Sequence, residues 1–383
     1  MRVAYITSYN SEEVKHWSGS GFYIAEALKN QGIELLRIHC IVKHSFIQRL
    51  KRKLNKILFN KVLLLEREPS YLKSLAKKAN QLLFNQEYDI VFSPGSLPIT
   101  YLKTDKPIAF MTDSTYDGLI NLYMQDQSLT KQSIINGNKA EAIALQKASL
   151  AFYTSEWAIE NAVNKYNIDK SKVRKSSFGP NLSNGFSEKK IRELVGERAD
   201  NKVKNLLFVG VEWRRKGARK AIETVAALIE KGHNVTLTLV GCKIPEGEVL
   251  PSFVKYYPFI SKETIEGRQI LDKLFQQASF FILPTEADCT PIVFSEAASY
   301  GLPVITTNTG GCPAVVLDKI SGYCFQPETF KENAVEIIEN LINDQRLYER
   351  ISVNAYYRFC NELNWNVIGK QLLESLEPLV EKR

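Results

Sequence analysis

Short apolar runs alternate with stretches of helical periodicity from the first residues of the chain. Residues 2–7 (RVAYIT) are β-branched and aromatic and predict a strand. Residues 23–30 place apolar side chains at helical spacing, and Gly32 closes that pattern. Residues 35–38 predict a second strand, and residues 89–92, 108–111 and 150–153 continue the series with helical stretches between them. Strands separated by helices imply right-handed βαβ crossovers and a parallel sheet.

Residues 180–204 are polar, charged and weakly periodic, and they read as a linker. Beyond them a second series begins. Strands are expected at 205–209, 236–240, 280–284 and 303–306, and helices at 220–231, 267–277 and 291–300. The chain therefore reads as two α/β domains, 1–182 and 183–365, each a doubly wound parallel sheet. Two such sheets imply a cleft between them, where ligands of α/β proteins usually sit. The apolar-periodic stretch 367–380 predicts a last helix, and residues 366–383 are expected to cross back to the first domain.

Composition changes this picture little. A chain of 383 residues exceeds one ordinary core, which agrees with two series of elements. No apolar run approaches the roughly 18 residues that span a bilayer. The start, MRVAYITSYN, enters a strand without the apolar stretch of a signal peptide, so a cytoplasmic location is expected. The six cysteines show no CxxC pair or metal-type spacing and read as reduced thiols; no metal is expected.

Charge is more informative. The formal +8 favours anionic partners. Its excess concentrates in residues 44–78, where ten Lys and Arg face Glu66 and Glu68 alone. No RNA-binding aromatic signature or helix-turn-helix pattern accompanies these cations, so nucleic acid is set aside.

Three segments carry candidate chemistry. In residues 280–311 (FFILPTEADCTPIVFSEAASYGLPVITTNTGG) a buried strand runs into a loop holding Glu286, Asp288, Cys289 and Thr290. A helix begins near Pro291, a residue favoured in a first helical turn. The amides of that turn and the positive end of the helix dipole suit a diphosphate. Asp288 and Glu296, eight positions apart, can then address opposite ends of one elongated ligand. Asp288 also fits as the cap of that helix. In residues 206–225 (LLFVGVEWRRKGARKAIETV) a strand ends near Gly210, and Arg214, Arg215 and Lys216 precede a helix. Cations in such a loop can neutralise a departing diphosphate. The third segment, 17–23 (WSGSGFY), holds Gly19, Ser20 and Gly21 in a glycine loop. A dinucleotide fingerprint fails there, because Ile24 takes the third glycine position and the loop lies some ten residues from its strand.

The register Asp288, Glu296, Ala297, Ala298, Gly301, Pro303, Val304, Thr309, Gly310 and Gly311 resembles the retaining glycosyltransferases of family four, a group that includes sucrose and glycogen synthases and bacterial mannosyltransferases. The family pattern is an acid, seven residues, a Glu, a helix of small residues, Gly-x-Pro-Val and a Thr-Gly-Gly loop. The resemblance implies a GT-B fold, two Rossmann-like sheets facing a central cleft with a C-terminal helix crossing back. It implies transfer of a hexose from a nucleotide sugar to an acceptor hydroxyl with retention of configuration. UDP is the preferred nucleotide on family frequency, with GDP the alternative. The nucleotide sugar is a co-substrate, and no other cofactor is implied.

Carried over residue by residue, Glu296 would accept hydrogen bonds from the ribose hydroxyls and Asp288 would hold the transferred sugar. Amides near Thr290, Ile292 and Val293 would face the diphosphate, together with Gly19, Ser20 and Gly21. Lys216-Gly217 match the family's Lys-Gly, and Gly210 its strand glycine. The family's Arg position holds Val211, with Arg215 favoured over Arg214 in its place. The first acid is Asp288 where the family usually has Glu, and Glu286 competes for that role. Cys289-Thr290-Pro291 replace the common Gly-Phe-Gly, and Pro291 cannot donate. Asp113 stands in Thr112-Asp113-Ser114 where many members carry a His; it fits either an acceptor-positioning group or a loop cap. Tyr153-Thr154-Ser155-Glu156 and Gly179-Pro180-Asn181 also recur in the family.

The leaving diphosphate would be stabilised by Lys216, Arg215 and the helix amides, and would itself serve as base. The acceptor is expected to be a cell-surface glycan, a lipid-linked precursor or a small molecule. Residues 43–65 mix cations with Phe46, Leu50, Leu54, Ile57, Leu58 and Leu63. They predict either an amphipathic helix on the inner membrane face or, the reading favoured here, a helix over the first sheet with its apolar side inward. Two other functions share the fold: a non-catalytic nucleotide-sugar-binding subunit and a sugar-nucleotide 2-epimerase. The latter is disfavoured because the chain has four histidines in all.

Overall fold

The computed structural model describes residues 1–124, 128–182 and 185–381, and the chain divides into two compact units. The first comprises Met1–Ser177 with Trp365–Arg383, and the second Phe178–Asn364.

The first unit runs β1 (Arg2–Thr7), α1 (Ser20–Asn30), β2 (Glu34–His39), α2 (Phe46–Phe59) and α3 (Pro69–Leu83). It continues with β3 (Ile90–Pro94), β4 (Ile108–Thr112), α4 (Tyr116–Tyr123), α5 (Lys131–Lys147), β5 (Leu150–Tyr153), α6 (Glu156–Tyr166) and β6 (Val173–Lys175). The strands are parallel, in the order β2-β1-β3-β4-β5-β6. Every residue of β3, β4 and β5 is buried, whereas the edge strand β6 buries Val173 alone. Parallel strands covered on both faces need continuous apolar runs, and edges do not. Side-chain caps start the helices: Thr115, Thr130 and Ser155 each accept an N–H from the first turn, at about 1 kcal/mol apiece.

α2 departs from the favoured expectation. Its apolar side does not face inward, and none of its residues is buried. Helical spacing alone does not say which way a stripe points, and here α3 supplies the buried apolar face, with Leu72, Leu75 and Ala79 in the core.

The second unit runs α7 (Glu188–Asp200), β7 (Lys204–Val209), α8 (Ala218–Glu230), β8 (Val235–Val240), β9 (Val254–Tyr257) and α9 (Ile265–Gln277). It continues with β10 (Phe280–Leu283), α10 (Ile292–Ser299), β11 (Val304–Thr307), α11 (Cys312–Val315), β12 (Gly322–Phe325), α12 (Phe330–Asn343) and α13 (Gln345–Glu362). Its strands are again parallel, in the order β12-β11-β10-β7-β8-β9. One apolar core joins Phe208, Phe275, Phe280, Phe281, Phe294 and Tyr300.

The supposed linker is largely structure. Residues 183 and 184 lie outside the described residues, but α7 occupies most of the rest. Ser187 caps it, and Ile191, Leu194 and Val195 enter the core. Its polar surface hid a narrow apolar stripe. Buried Arg198 donates to the carbonyls of Gln276 (3.0 Å), Tyr300 (2.8 Å) and Phe275 (3.2 Å). These are final carbonyls of α9 and the C-cap of α10, groups that lack partners within their own helices.

α14 (Trp365–Glu381) then returns to the first unit. Trp365 stacks on Tyr23 of α1 at 5.8 Å, and Gln31 donates to Asn366 at 2.9 Å.

Arg198→Ala is expected to destabilise the protein by roughly 3 kcal/mol, because three buried carbonyls lose their donor at once. Urea unfolding followed by circular dichroism measures this, and a linker residue would leave the midpoint unchanged.

Candidate active site

In the second unit the chain adds strands outward from β7 on one side and from β10 on the other. β7 and β10 are therefore neighbours at the point where strand order reverses. Their carboxyl ends open a crevice there, the usual ligand position in such sheets.

Both loops at that point are tied together. Gly210 follows β7, donating to the Val240 carbonyl at 3.0 Å and accepting from the Cys242 thiol at 3.1 Å. Burial pushes that thiol up to about 12. The carbonyl of Arg215 accepts from Glu286 N (2.7 Å) and Thr285 Oγ1 (3.0 Å). Gly217 caps α8 at φ 76, and a Cβ there would lie 2.0 Å from the Pro284 carbonyl oxygen. Only glycine permits that approach.

The side chains follow from this clamp. Lys216 Nζ donates to Asp288 Oδ2, with both side chains nearly buried. The Arg215 guanidinium lies 3.8 Å from the same oxygen, held by the Ala287 carbonyl (2.9 Å) and Glu212 (2.6 Å). That contact keeps Glu212 below the ordinary carboxylate range. Arg214 is 81% exposed and turns to Glu286 at 4.0 Å. Glu286 faces Lys220 at 3.9 Å, so its carboxylate belongs to the outer rim.

Asp288 is not the cap of the following helix. Pro291 occupies the N-cap position of α10 and makes no side-chain bond there, because it offers no acceptor beyond its carbonyl. Ile292 and Val293 form the first turn. The loop Asp288-Cys289-Thr290 is backed by the Thr-Gly-Gly segment: Gly311 N donates to the Asp288 carbonyl at 3.0 Å. A Cβ on Gly311 would fall 1.7 Å from the Cys289 carbonyl oxygen.

Glu296 is wholly buried. Lys262 Nζ contacts both its oxygens, Oε2 at 2.6 Å, and Asn181 N donates to Oε1 at 3.2 Å. Ser295 beside it donates to the Phe178 carbonyl at 2.9 Å. Lys262 was not foreseen. It precedes α9, 34 residues from Glu296, and no local spacing links the two.

The remaining expected residues belong to the first unit. Trp17, Ser18 and Gly19 all take left-handed backbone before α1, an uncommon run. Ser20 and Gly21 are the first residues of α1, where Tyr5 donates to the Gly21 carbonyl at 2.6 Å. Asp113, just after β4, lines a cavity of about 350 Å³ with Tyr9, Trp17, Arg67 and Ser96. Arg67 and Ser96 both hold buried Glu141 there, at 3.2 and 2.7 Å.

Residues 190–358 match the family model of the glycosyl transferases group 1. Over that segment, a little under half of the chain, the sequence is similar to the group 1 glycosyltransferases. The whole chain is similar in fold to sucrose-phosphate synthase from Thermosynechococcus elongatus (TM-score 0.70, 17% identity, all of both chains covered). It is likewise similar to Anabaena HepE, solved in complex with UDP-glucose (TM-score 0.61, 16% identity, 99% and 100% covered). These likenesses give the fold as GT-B. In sequence it is 27% identical to the capsular polysaccharide biosynthesis glycosyltransferase CapM of Staphylococcus aureus over 243 residues. That match takes in 61% of this chain and 62% of CapM, just under two thirds of the relative.

Lys216, Arg215, Asp288, Glu296 and Lys262 all lie within the matched segment. Lys262→Ala would leave the Glu296 carboxylate buried without its cation, costing roughly 2–3 kcal/mol. Guanidinium unfolding should show that loss in Lys262→Ala and a much smaller one in Lys262→Arg; an unchanged midpoint in both would mean that the pair adds nothing.

Proposed function

We propose that the protein is a retaining glycosyltransferase that moves a hexose from a nucleotide sugar to an acceptor hydroxyl. The observation that carries the reading is the Lys216–Asp288 pair, backed by Arg215, at the reversal point of the second sheet. Cation and carboxylate there serve a ligand with a phosphate at one end and hydroxyls at the other. The group 1 match and the resemblance to retaining family-four enzymes support the same reaction class.

In this reading the anomeric C–O bond breaks toward the diphosphate. Lys216, Arg215 and the amides of Ile292 and Val293 meet the charge as it grows, so the reaction needs no divalent ion. Asp288 leaves Lys216 to bind sugar hydroxyls, and Glu296 exchanges Lys262 for the ribose hydroxyls. Cys289, Thr290 and Pro291 shape the wall, with Glu286 at the rim; Gly19, Ser20 and Gly21 add backbone donors. The acceptor oxygen attacks from the leaving-group face, and the departing phosphate takes its proton. Asp113 orients the acceptor hydroxyl.

UDP is the favoured nucleotide, supported by HepE with its bound UDP-glucose. A cell-surface glycan or its lipid-linked precursor is the favoured acceptor, in keeping with CapM's capsular polysaccharide role. A cytoplasmic enzyme with peripheral membrane contact through residues 43–65 fits such an acceptor.

A thermal-shift screen of sugar nucleotides tests donor binding, since a ligand at a hundred times its Kd adds about 2.7 kcal/mol. No response to any sugar nucleotide at millimolar concentration would sink the proposal. With an acceptor in hand, Lys216→Ala and Asp288→Asn should each lower kcat roughly 100-fold or more. Binding without turnover on any acceptor would instead mark a binding subunit.

A further inference from the structure

We propose that α2 docks the first unit on an anionic lipid surface, lying in the headgroup layer with its apolar side toward the acyl chains. At helical spacing Phe46, Ile57, Leu50, Leu54, Ile47 and Leu58 fall within one sector of about 120°. All six are 44–75% exposed. Lys51, Arg52, Lys56, Arg49 and Lys53 share the remaining arc with Gln48, Asn55 and the terminal Phe59, and the helix contains no acid. Among the described residues none buries the apolar sector.

The helix is nonetheless built to stay folded. Ser45 and Gln48 form a reciprocal capping box, and Gln48 donates to Ser70 Oγ of α3 at 3.0 Å. Ser70, Lys73 and Lys77 share one face of α3 at helical spacing, and Phe84 follows the end of the helix. That row borders an open groove completed by Tyr101 and Lys103, and Phe84 is 74% exposed. The cationic and apolar surface thus continues past α2.

Charge decides what covers it. A second copy of this chain would bring the same cations face to face. Nucleic acid would meet the cations and leave six large apolar side chains in water. A bilayer with acidic headgroups satisfies both halves of the helix. At 14 residues, about 21 Å, the helix lies on the bilayer; among the described residues no helix is long and apolar enough to cross one.

This deepens the lipid-linked reading above, yet vesicle binding needs neither donor nor turnover, so the two fail separately. The test is flotation of the full chain with vesicles of phosphatidylcholine alone, or mixed in equal parts with phosphatidylglycerol. Binding should require phosphatidylglycerol and weaken with salt. Leu50→Glu with Ile57→Glu should abolish it, while Arg52→Gln with Lys53→Gln should weaken it roughly tenfold or more. None of these positions is buried, so melting temperatures should stay at the parent value; a parent-like melt is the control for folding. No binding to acidic vesicles, or binding that survives Leu50→Glu with Ile57→Glu, would overturn the proposal. So would a dimer in sedimentation that the same double variant dissolves.

Discussion

Two loops 72 residues apart in the chain meet where β7 and β10 run side by side. Their junction is made of backbone: the Arg215 carbonyl takes two hydrogen bonds from the end of β10, and Gly217 lets the chains touch. The placement of Lys216, Arg215 and Asp288 hangs on that contact. Because the loop is fixed at Arg215, the next side chain, Lys216, has one direction to go, over Gly210 and onto Asp288. The cation is thereby held nearly dry, where its field is strongest. The same fixing sends Arg214 to solvent and Arg215 inward, which separates two adjacent residues of identical chemistry.

The Glu296 end of the candidate site is held differently. Glu296 sits on a short helix of small residues that the core encloses, so its charge must be answered locally. Lys262 and the Asn181 amide answer it. Both come from segments without regular structure, one before α9 and one between β6 and α7. A buried carboxylate anchored by loops can change partners without unpacking a helix.

Much of this was readable from the chain. Central strands such as β4 and β10 are unbroken apolar runs, and a parallel sheet requires them. The string from Asp288 to Gly311 carried the resemblance, and its Thr-Gly-Gly loop does lie against Asp288. What escaped notice has physical reasons. β6 and β9 are short edge strands with few buried residues, and α7 shows a polar surface over a narrow stripe. Arg198 and Lys262 act through contacts that only the fold creates. The side of α2 that meets water was undecidable from periodicity, since a stripe reads the same whether it faces a sheet or solvent.

The return of α14 to the first unit bears on how the molecule is made. The face of α1 that receives Trp365 and Asn366 is synthesised more than three hundred residues before its cover. During translation, at ~5–20 residues per second, the second unit has every one of its elements available while the first still lacks one of its helices. Until α14 is made, the side of α1 that it covers stays open to chaperones or to other nascent chains. The first unit to begin is thus the last to have all of its elements.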